Sequence, residues 1–137
     1  MHEFETALLW LTRAGNVEAV KVFIAHGVDV NFQDENQLTP LHEAVIKGNV
    51  PMMEVLIDSG ANLDAKHSFG WTPLQQAVYK GYYRAVVLLI TAGAKIDSRD
   101  KNGQTAIDWA AFMGHTEIVD LLLVASKSLP EFKSSDV

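Results

Sequence analysis

Apolar residues occur along this chain in pairs of short runs, each about two helical turns long. In the second run of the first pair, the apolar side chains are spaced by three and four residues, as on one face of a helix (Val17, Val20, Phe23, Ile24). Polar residues occupy the opposite face of that run, and a glycine separates the two runs. The pattern predicts pairs of short amphipathic helices that each bury one face.

The pairs repeat with a constant period of 33 residues. A threonine recurs at this step (Thr6, Thr39, Thr72, Thr105), and so does the glycine between the two runs (Gly15, Gly48, Gly81, Gly114). A fixed period of this length, without insertion or deletion, is typical of stacked-repeat proteins. The sequence therefore predicts one domain over residues 1–126, made of four helix–turn–helix repeats at about 1–33, 34–66, 67–99 and 100–126. Residues 127–137 would form a C-terminal tail.

Residues that begin and end helices recur at matching positions. Thr39 is placed to cap a helix whose first residue is Pro40, and Pro51 is predicted to begin the second helix of that repeat in the same way. In the first three repeats the second helix is followed by a glycine suited to the left-handed conformation (Gly27, Gly60, Gly93). Ser126 replaces this glycine in the last repeat, as expected of a terminal unit.

The links between repeats also match one another, with one exception. Gly70 and Gly103 occupy the same position in the second and third links, whereas Gln37 occupies it in the first. A left-handed backbone costs a residue other than glycine on the order of 1 kcal/mol. We therefore expect either strain at Gln37 or a relaxed first link.

This repeat pattern resembles the ankyrin repeat family. The resemblance rests on Thr39-Pro40-Leu41-His42-x-Ala44, Lys47-Gly48-Asn49 and Val55-Leu56-Ile57-x-x-Gly60-Ala61, with their counterparts in the third repeat, and it covers roughly residues 6–125. The sequence departs from the family at the His42 position, which later repeats fill with Gln75 and Asp108, and at Ala106, which replaces proline. The resemblance implies an all-α ankyrin-repeat solenoid of four stacked repeats, joined by short β-hairpin-like links, that binds another protein in its concave groove.

Composition excludes several classes of function. A formal net charge of −6 argues against a broad surface for nucleic acid or for anionic membranes. The chain has no cysteine, so it has neither disulfides nor thiolate metal sites. Its longest strongly apolar run, 85–94, is about half the length of a bilayer span, and its first residues lack the pattern of a signal peptide. These features favour a cytoplasmic monomer.

Five histidines raise the question of metal binding or catalysis. His42 and His115 lie where the family uses a side chain to brace the links, so we expect structural roles for both. His2, His26 and His67 show no metal-ligand spacing and are expected to be exposed to solvent. No phosphate loop, dinucleotide fingerprint or nucleophile elbow is present, so we predict no catalytic residues, no metal and no cofactor.

The residues that differ between repeats are those available for specific binding, because the residues that hold the fold recur. By resemblance to ankyrin proteins, the binding face is formed by the link tips and the exposed side of each first helix. The side chains that this chain places there are mostly apolar or cationic: Leu38, Ile46, Lys47, Phe69, Trp71, Tyr79, Lys80, Lys101, Phe112 and Met113. An alternative interpretation is that Trp71 folds onto Tyr79 and packs the link.

The predicted ligand is a protein with an apolar anchor flanked by acidic residues, because cations border the aromatic positions. Three functions stay open: an adaptor, a dedicated inhibitor or immunity-type protein that blocks a partner enzyme, and, more remotely, an enzyme. With repeats near both chain ends, we expect the repeats to be the whole protein. The last residues, Ser135-x-Val137, resemble ligands of PDZ domains but also suit a loose polar tail.

Overall fold

The computed structural model describes the backbone of residues 2–134 and the side chains of residues 2–127. This part of the chain forms eight α-helices: α1 (Glu3–Ala14), α2 (Val17–Ala25), α3 (Pro40–Ile46), α4 (Val50–Asp58), α5 (Pro73–Lys80), α6 (Tyr83–Ala92), α7 (Ala106–Met113) and α8 (Thr116–Ser134). No strand occurs between residues 2 and 134. The predicted all-α fold of four stacked helix pairs is confirmed.

The helices form two layers. The first helices of the repeats pack in the order α1, α3, α5 and α7, and the second helices pack in the order α2, α4, α6 and α8. The core lies between the layers and is filled by large aliphatic side chains, which are almost completely buried (Leu8, Leu41, Met52, Met53, Leu56, Leu74, Leu89, Leu122). The apolar stripes predicted from the sequence are therefore the faces that join the layers.

Threonine caps the first helix of repeats 2, 3 and 4, as predicted for Thr39. The side chains of Thr39, Thr72 and Thr105 each accept a hydrogen bond from the backbone N–H three residues later. Pro51 is the second residue of α4, not the first as predicted, because Asn49 caps this helix and Val50 begins it. Proline is tolerated at that position because the N–H groups of the first helical turn have no partner inside the helix.

The first repeat departs from this arrangement, because Thr6, the threonine at the corresponding position, lies inside the helix and does not cap it. The first helix, α1, begins at Glu3, and the backbone N–H of Thr6 already donates to the carbonyl of His2 at 2.8 Å. Three further residues thus precede Thr6 in the helix, and they include two carboxylates that suit a helix N-terminus.

The three links have the same hydrogen-bonded turn. The N–H of Asp34, His67 and Asp100 donates to the carbonyl four residues later, at 3.0, 3.1 and 2.9 Å. In each turn the residue before the last has a positive φ, and in the first link this residue is Gln37, with φ of 64°. It is the only residue other than glycine with positive φ among residues 2–134. Of the two alternatives for Gln37, strain is therefore correct.

In repeats 2 and 3 the third residue of the first helix connects one repeat to the next. In repeat 2 the Nδ1 of His42 accepts the N–H of Thr39 at 3.2 Å, and its Nε2 bonds the Trp71 carbonyl at 3.0 Å. Gln75 makes corresponding bonds in repeat 3: its Oε1 accepts the N–H of Thr72 at 2.8 Å, and its Nε2 donates to the Ser98 carbonyl at 2.8 Å and, at 3.5 Å, to that of Gln104, the counterpart of Trp71. The structural role predicted for His42 is confirmed, and glutamine is an equivalent choice.

The C-terminal helix crosses the predicted domain boundary, since α8 extends from Thr116 to Ser134. The boundary at residue 126 stays a prediction. Ser135-x-Val137, the segment that resembles a PDZ ligand, lies outside the described residues. Within the described part of the chain, no helix is both long and apolar enough to cross a membrane.

Candidate functional site

Six aromatic rings of repeats 3 and 4 form one continuous group, which we call the aromatic cluster (His67, Phe69, Trp71, Tyr79, Trp109, Phe112). At its centre the rings of Trp71, Tyr79 and Trp109 contact one another, with centroids 5.1 to 5.5 Å apart. Phe112 meets Trp109 edge to face at 5.9 Å, and His67 joins Phe69 to Trp71. These are favourable aromatic geometries, so the cluster is a packed unit.

The centre of the aromatic cluster is partly buried and its ends are exposed. Trp71 and Trp109 are half-buried, whereas Phe69 and Phe112 are 73% and 80% exposed and Tyr79 is 38% exposed. An exposed aromatic side chain is informative where it adjoins other apolar surface, as both of these phenylalanines do. The two phenylalanines are therefore the members of the cluster most available to another molecule.

Asp100 lies beneath this cluster and binds four donors. Its Oδ2 accepts the indole N–H of Trp71 at 2.9 Å and that of Trp109 at 2.8 Å, while its Oδ1 accepts two backbone N–H groups of the third link. Burial raises the pKa of Asp100, but these hydrogen bonds, the strongest from Trp109, outweigh burial and hold the pKa below its usual value. The group is thus a carboxylate at neutral pH.

The position of Trp71 agrees with the alternative interpretation from the sequence, since it packs on Tyr79 and is tied to Asp100. Trp109 and Asp100 were both missed. Trp109 could have been found by comparing repeats, because Glu43 and Gln76 occupy its position in the two preceding repeats. Asp100 gave no such signal, since an aspartate is ordinary in a turn and Asp34 begins the first link in the same way.

His67 is only 5% exposed, so the prediction that it faces solvent is wrong. Its Nδ1 accepts the N–H of Phe69 at 3.0 Å, and its ring lies 5.1 Å from that of His42. The side chain is buried because its ring packs among those of His42, Phe69 and Trp71. His2 and His26 are exposed, as predicted.

Burial changes the protonation of both buried histidines. Burial lowers the pKa of His42 to about 4, although its hydrogen bond to the Trp71 carbonyl opposes this change. Burial lowers the pKa of His67 as well. Both rings are therefore neutral at pH 7, and the bonds of His42 place its proton on Nε2.

The cations of the second and third links and of the ends of α3 and α5 fall into two groups. Lys66 and Arg99 donate to backbone carbonyls of the third link, at 2.7 and 2.8 Å, so they brace that link. Lys47, Lys80 and Lys101 are exposed and form no ion pair with any described residue. The second group is free to meet a negatively charged ligand.

The corresponding face of repeats 1 and 2 carries an ion pair and a single tryptophan ring in place of the packed group of rings. Arg13 contacts Glu43 at 2.7 Å and Asp34 at 3.4 Å, and its guanidinium lies 5.6 Å from the ring centroid of Trp10. These charges satisfy one another, and Glu43 is buried by the arrangement. The packed group of aromatic rings is therefore confined to repeats 3 and 4, although Trp10 of repeat 1 is also exposed.

The other residues expected on the binding face are not part of the aromatic cluster. Leu38 and Ile46 are half-buried in repeat 2, and Met113 is 37% exposed at the end of α7. A shallow pocket of about 340 Å³ adjoins Trp109 and Phe112. Among the described side chains, no group of three or more histidine, aspartate or glutamate residues could hold a metal ion.

The sequence of this chain also matches the model of a known protein family. The family model for ankyrin repeats (3 copies) matches the chain twice, over residues 2–67 and 59–133. Together the two matches cover nearly the whole sequence. No curated protein matches the chain.

Proposed function

Because this chain belongs to the ankyrin repeat family, whose members are typically non-catalytic modules that bind other proteins, we propose that it binds a partner protein through its aromatic cluster. The observation that carries the proposal is the exposure of Phe69 and Phe112 at the two ends of a packed group of rings. Exposed apolar patches of this kind mark interaction sites, and aromatic side chains dominate the energetics of such sites.

The partner we propose presents an apolar side chain with carboxylates beside it. Phe69, Tyr79 and Phe112 would lose water on contact with the apolar side chain, and that loss would supply affinity. Lys47, Lys80 and Lys101 would attract the carboxylates and orient the partner. Since these lysines are exposed, their attraction falls as salt is added, whereas the apolar contact persists.

The same surface would serve an adaptor or an inhibitor that covers the active site of a partner enzyme. An inhibitor needs only the aromatic cluster, while an adaptor needs a second surface for a second protein. Because one surface suffices for an inhibitor, single-site occupation is the simpler proposal.

Selection from a library of random linear peptides displayed on phage tests this proposal. The most enriched peptide is synthesised and titrated by calorimetry against the wild type, against the double variant F69A/F112A, and against F4A. Phe4 is a suitable control because it is 64% exposed and belongs to α1, away from the aromatic cluster. We expect enriched peptides with an aromatic or aliphatic residue next to acidic ones.

Truncating two interface anchors should weaken peptide binding at least about tenfold, whereas F4A should bind like the wild type. Retained thermal midpoints would show that both variants are folded. The proposal is wrong if no peptide is enriched on the wild type, or if the enriched peptides bind F69A/F112A as tightly as they bind the wild type.

A further inference from the structure

The carboxylate of Asp100 has two separate tasks, one for each oxygen. Oδ1 accepts the backbone N–H groups of Asn102 and Gln104, both at 2.9 Å, and thereby shapes the third link. Asp34 does the same in the first link, where its Oδ1 accepts the N–H groups of Asn36 and Leu38 at 2.8 and 3.0 Å. The turn therefore accounts for only half of what Asp100 does.

The second oxygen has no counterpart in the first link. Oδ2 of Asp100 accepts both indole N–H groups, from Trp71 at 2.9 Å and from Trp109 at 2.8 Å. Oδ2 of Asp34 instead contacts Arg13, at 3.4 Å. Hydrogen bonds to an ionised acceptor are stronger than bonds between neutral groups, so the two indoles of the aromatic cluster are held by one fixed charge.

This charge joins two repeats. Trp71 lies just before α5 in repeat 3, whereas Trp109 lies within α7 of repeat 4. With both N–H groups bound to a residue that is 8% exposed, each indole has a single orientation. Tyr79 and Phe112 pack against these indoles, so their rings are placed by the same contact.

We propose that Asp100 is a positioning residue of the protein-binding surface, because it fixes Trp71 and Trp109 in the arrangement that a partner meets. The inference rests on the proposed function. A partner that binds a surface already in its bound arrangement does not have to immobilise the rings, and affinity is higher for that reason. Asp100 itself touches no partner.

The substitution D100N separates the two tasks. Asparagine has the same shape and one carbonyl oxygen, which can accept either the turn N–H groups or the indoles, but not both. D34N is the matched control, because it changes the same turn position in a link without indoles, and Arg13 keeps its contact with Glu43 at 2.7 Å. W71F removes one indole N–H and retains a ring.

The first readout is the set of indole N–H signals in a ¹H–¹⁵N NMR spectrum of the full chain. The chain has three tryptophans, and Trp10 is remote from Asp100. We expect D100N to shift the signals of Trp71 and Trp109 and to leave that of Trp10 in place, while D34N leaves the signals of Trp71 and Trp109 in place. A purely structural role in the turn would not single out these two indoles.

The second readout is the affinity for the synthetic peptide selected on the wild type. We expect D100N to bind the peptide about tenfold more weakly, because binding would then have to immobilise the two released indole side chains. D34N should bind it like the wild type. W71F should weaken binding in the wild type but add little in D100N, because the two changes remove the same contact.

The outcomes separate the two proposals. If D100N leaves the signals of Trp71 and Trp109 unchanged, or binds the peptide as the wild type does, the positioning role is wrong and the proposed function stands. If no peptide binds the wild type, the proposed function is wrong, and the inference falls with it even where the indole signals move.

Discussion

Replacing His42 by glutamine should remove an acid-sensitive contribution to stability. His42 is fully buried, and its pKa falls from 6.5 to about 4 on folding. Between these values the unfolded chain binds a proton that the folded chain rejects, so the free energy of unfolding decreases as the pH falls from 6.5 to about 4. The full shift corresponds to about 3 kcal/mol, of which about 2 kcal/mol would be lost between pH 7 and pH 5.

Glutamine is the right replacement because Gln75 makes corresponding bonds in repeat 3, to the N–H of Thr72 and to the carbonyls of Ser98 and Gln104. H42Q should therefore be about as stable as the wild type at pH 7, and its free energy of unfolding should fall by about 2 kcal/mol less than that of the wild type on acidification to pH 5. His67 and Asp34, the groups that act electrostatically on His42, are present in both proteins. The reverse substitution, Q75H, should introduce a similar sensitivity to acid.

Urea denaturation at a series of pH values, followed by tryptophan fluorescence, measures these differences. The reasoning would be refuted if the wild type and H42Q lost the same stability between pH 7 and pH 5. A lower stability of H42Q at pH 7 would refute a narrower point, namely that glutamine fills the His42 position equivalently.

Two further predictions concern left-handed backbone. Gln37→Gly should stabilise the chain by about 1 kcal/mol in the same denaturation assay, because φ at Gln37 is 64° and glycine adopts this conformation without strain. The control Glu35→Gly, in the same turn, should bring no gain in stability. A loss of stability in Q37G would contradict the inferred strain. Gly81→Ala should lower the free energy of unfolding by about 1 kcal/mol or more beyond the loss caused by Gly114→Ala. Both glycines have nearly the same φ, but only at Gly81 would an added Cβ lie 2.7 Å from the His115 ring. Equal losses of stability in the two variants would contradict that clash.

The fold was predictable because its determinants are local and repeat. The capping threonines and the glycines that end helices act within a few residues of their own position, and the period of 33 fixes their alignment. Thr6 shows the limit of this argument. Thr6 lies at the position that the period of 33 residues assigns to a threonine. The period does not predict where α1 begins, however, and this helix extends back to Glu3.

The candidate site was less predictable, because it depends on contacts between neighbouring links. His67 is buried by rings that lie in the same link and in α3. The absence of metal-ligand spacing around His67 therefore gave no information about the exposure of its side chain. Phe69, Trp71, Tyr79 and Phe112 were expected on one face from their positions in the repeat, and their rings do lie in one group, whereas their role in binding stays a prediction. Which of them remain exposed follows from packing on Asp100 and Trp109, and residue spacing does not determine this.

The contact between Trp71 and Trp109 also has an optical consequence. Their ring centroids are 5.5 Å apart and their planes are inclined by 74°. We expect the transition dipoles of two indoles this close to couple, which would split their absorption and give circular dichroism bands of opposite sign. The far-ultraviolet spectrum of this chain should therefore combine the helical signal with an aromatic couplet. The couplet would report, without any label, whether repeats 3 and 4 are docked.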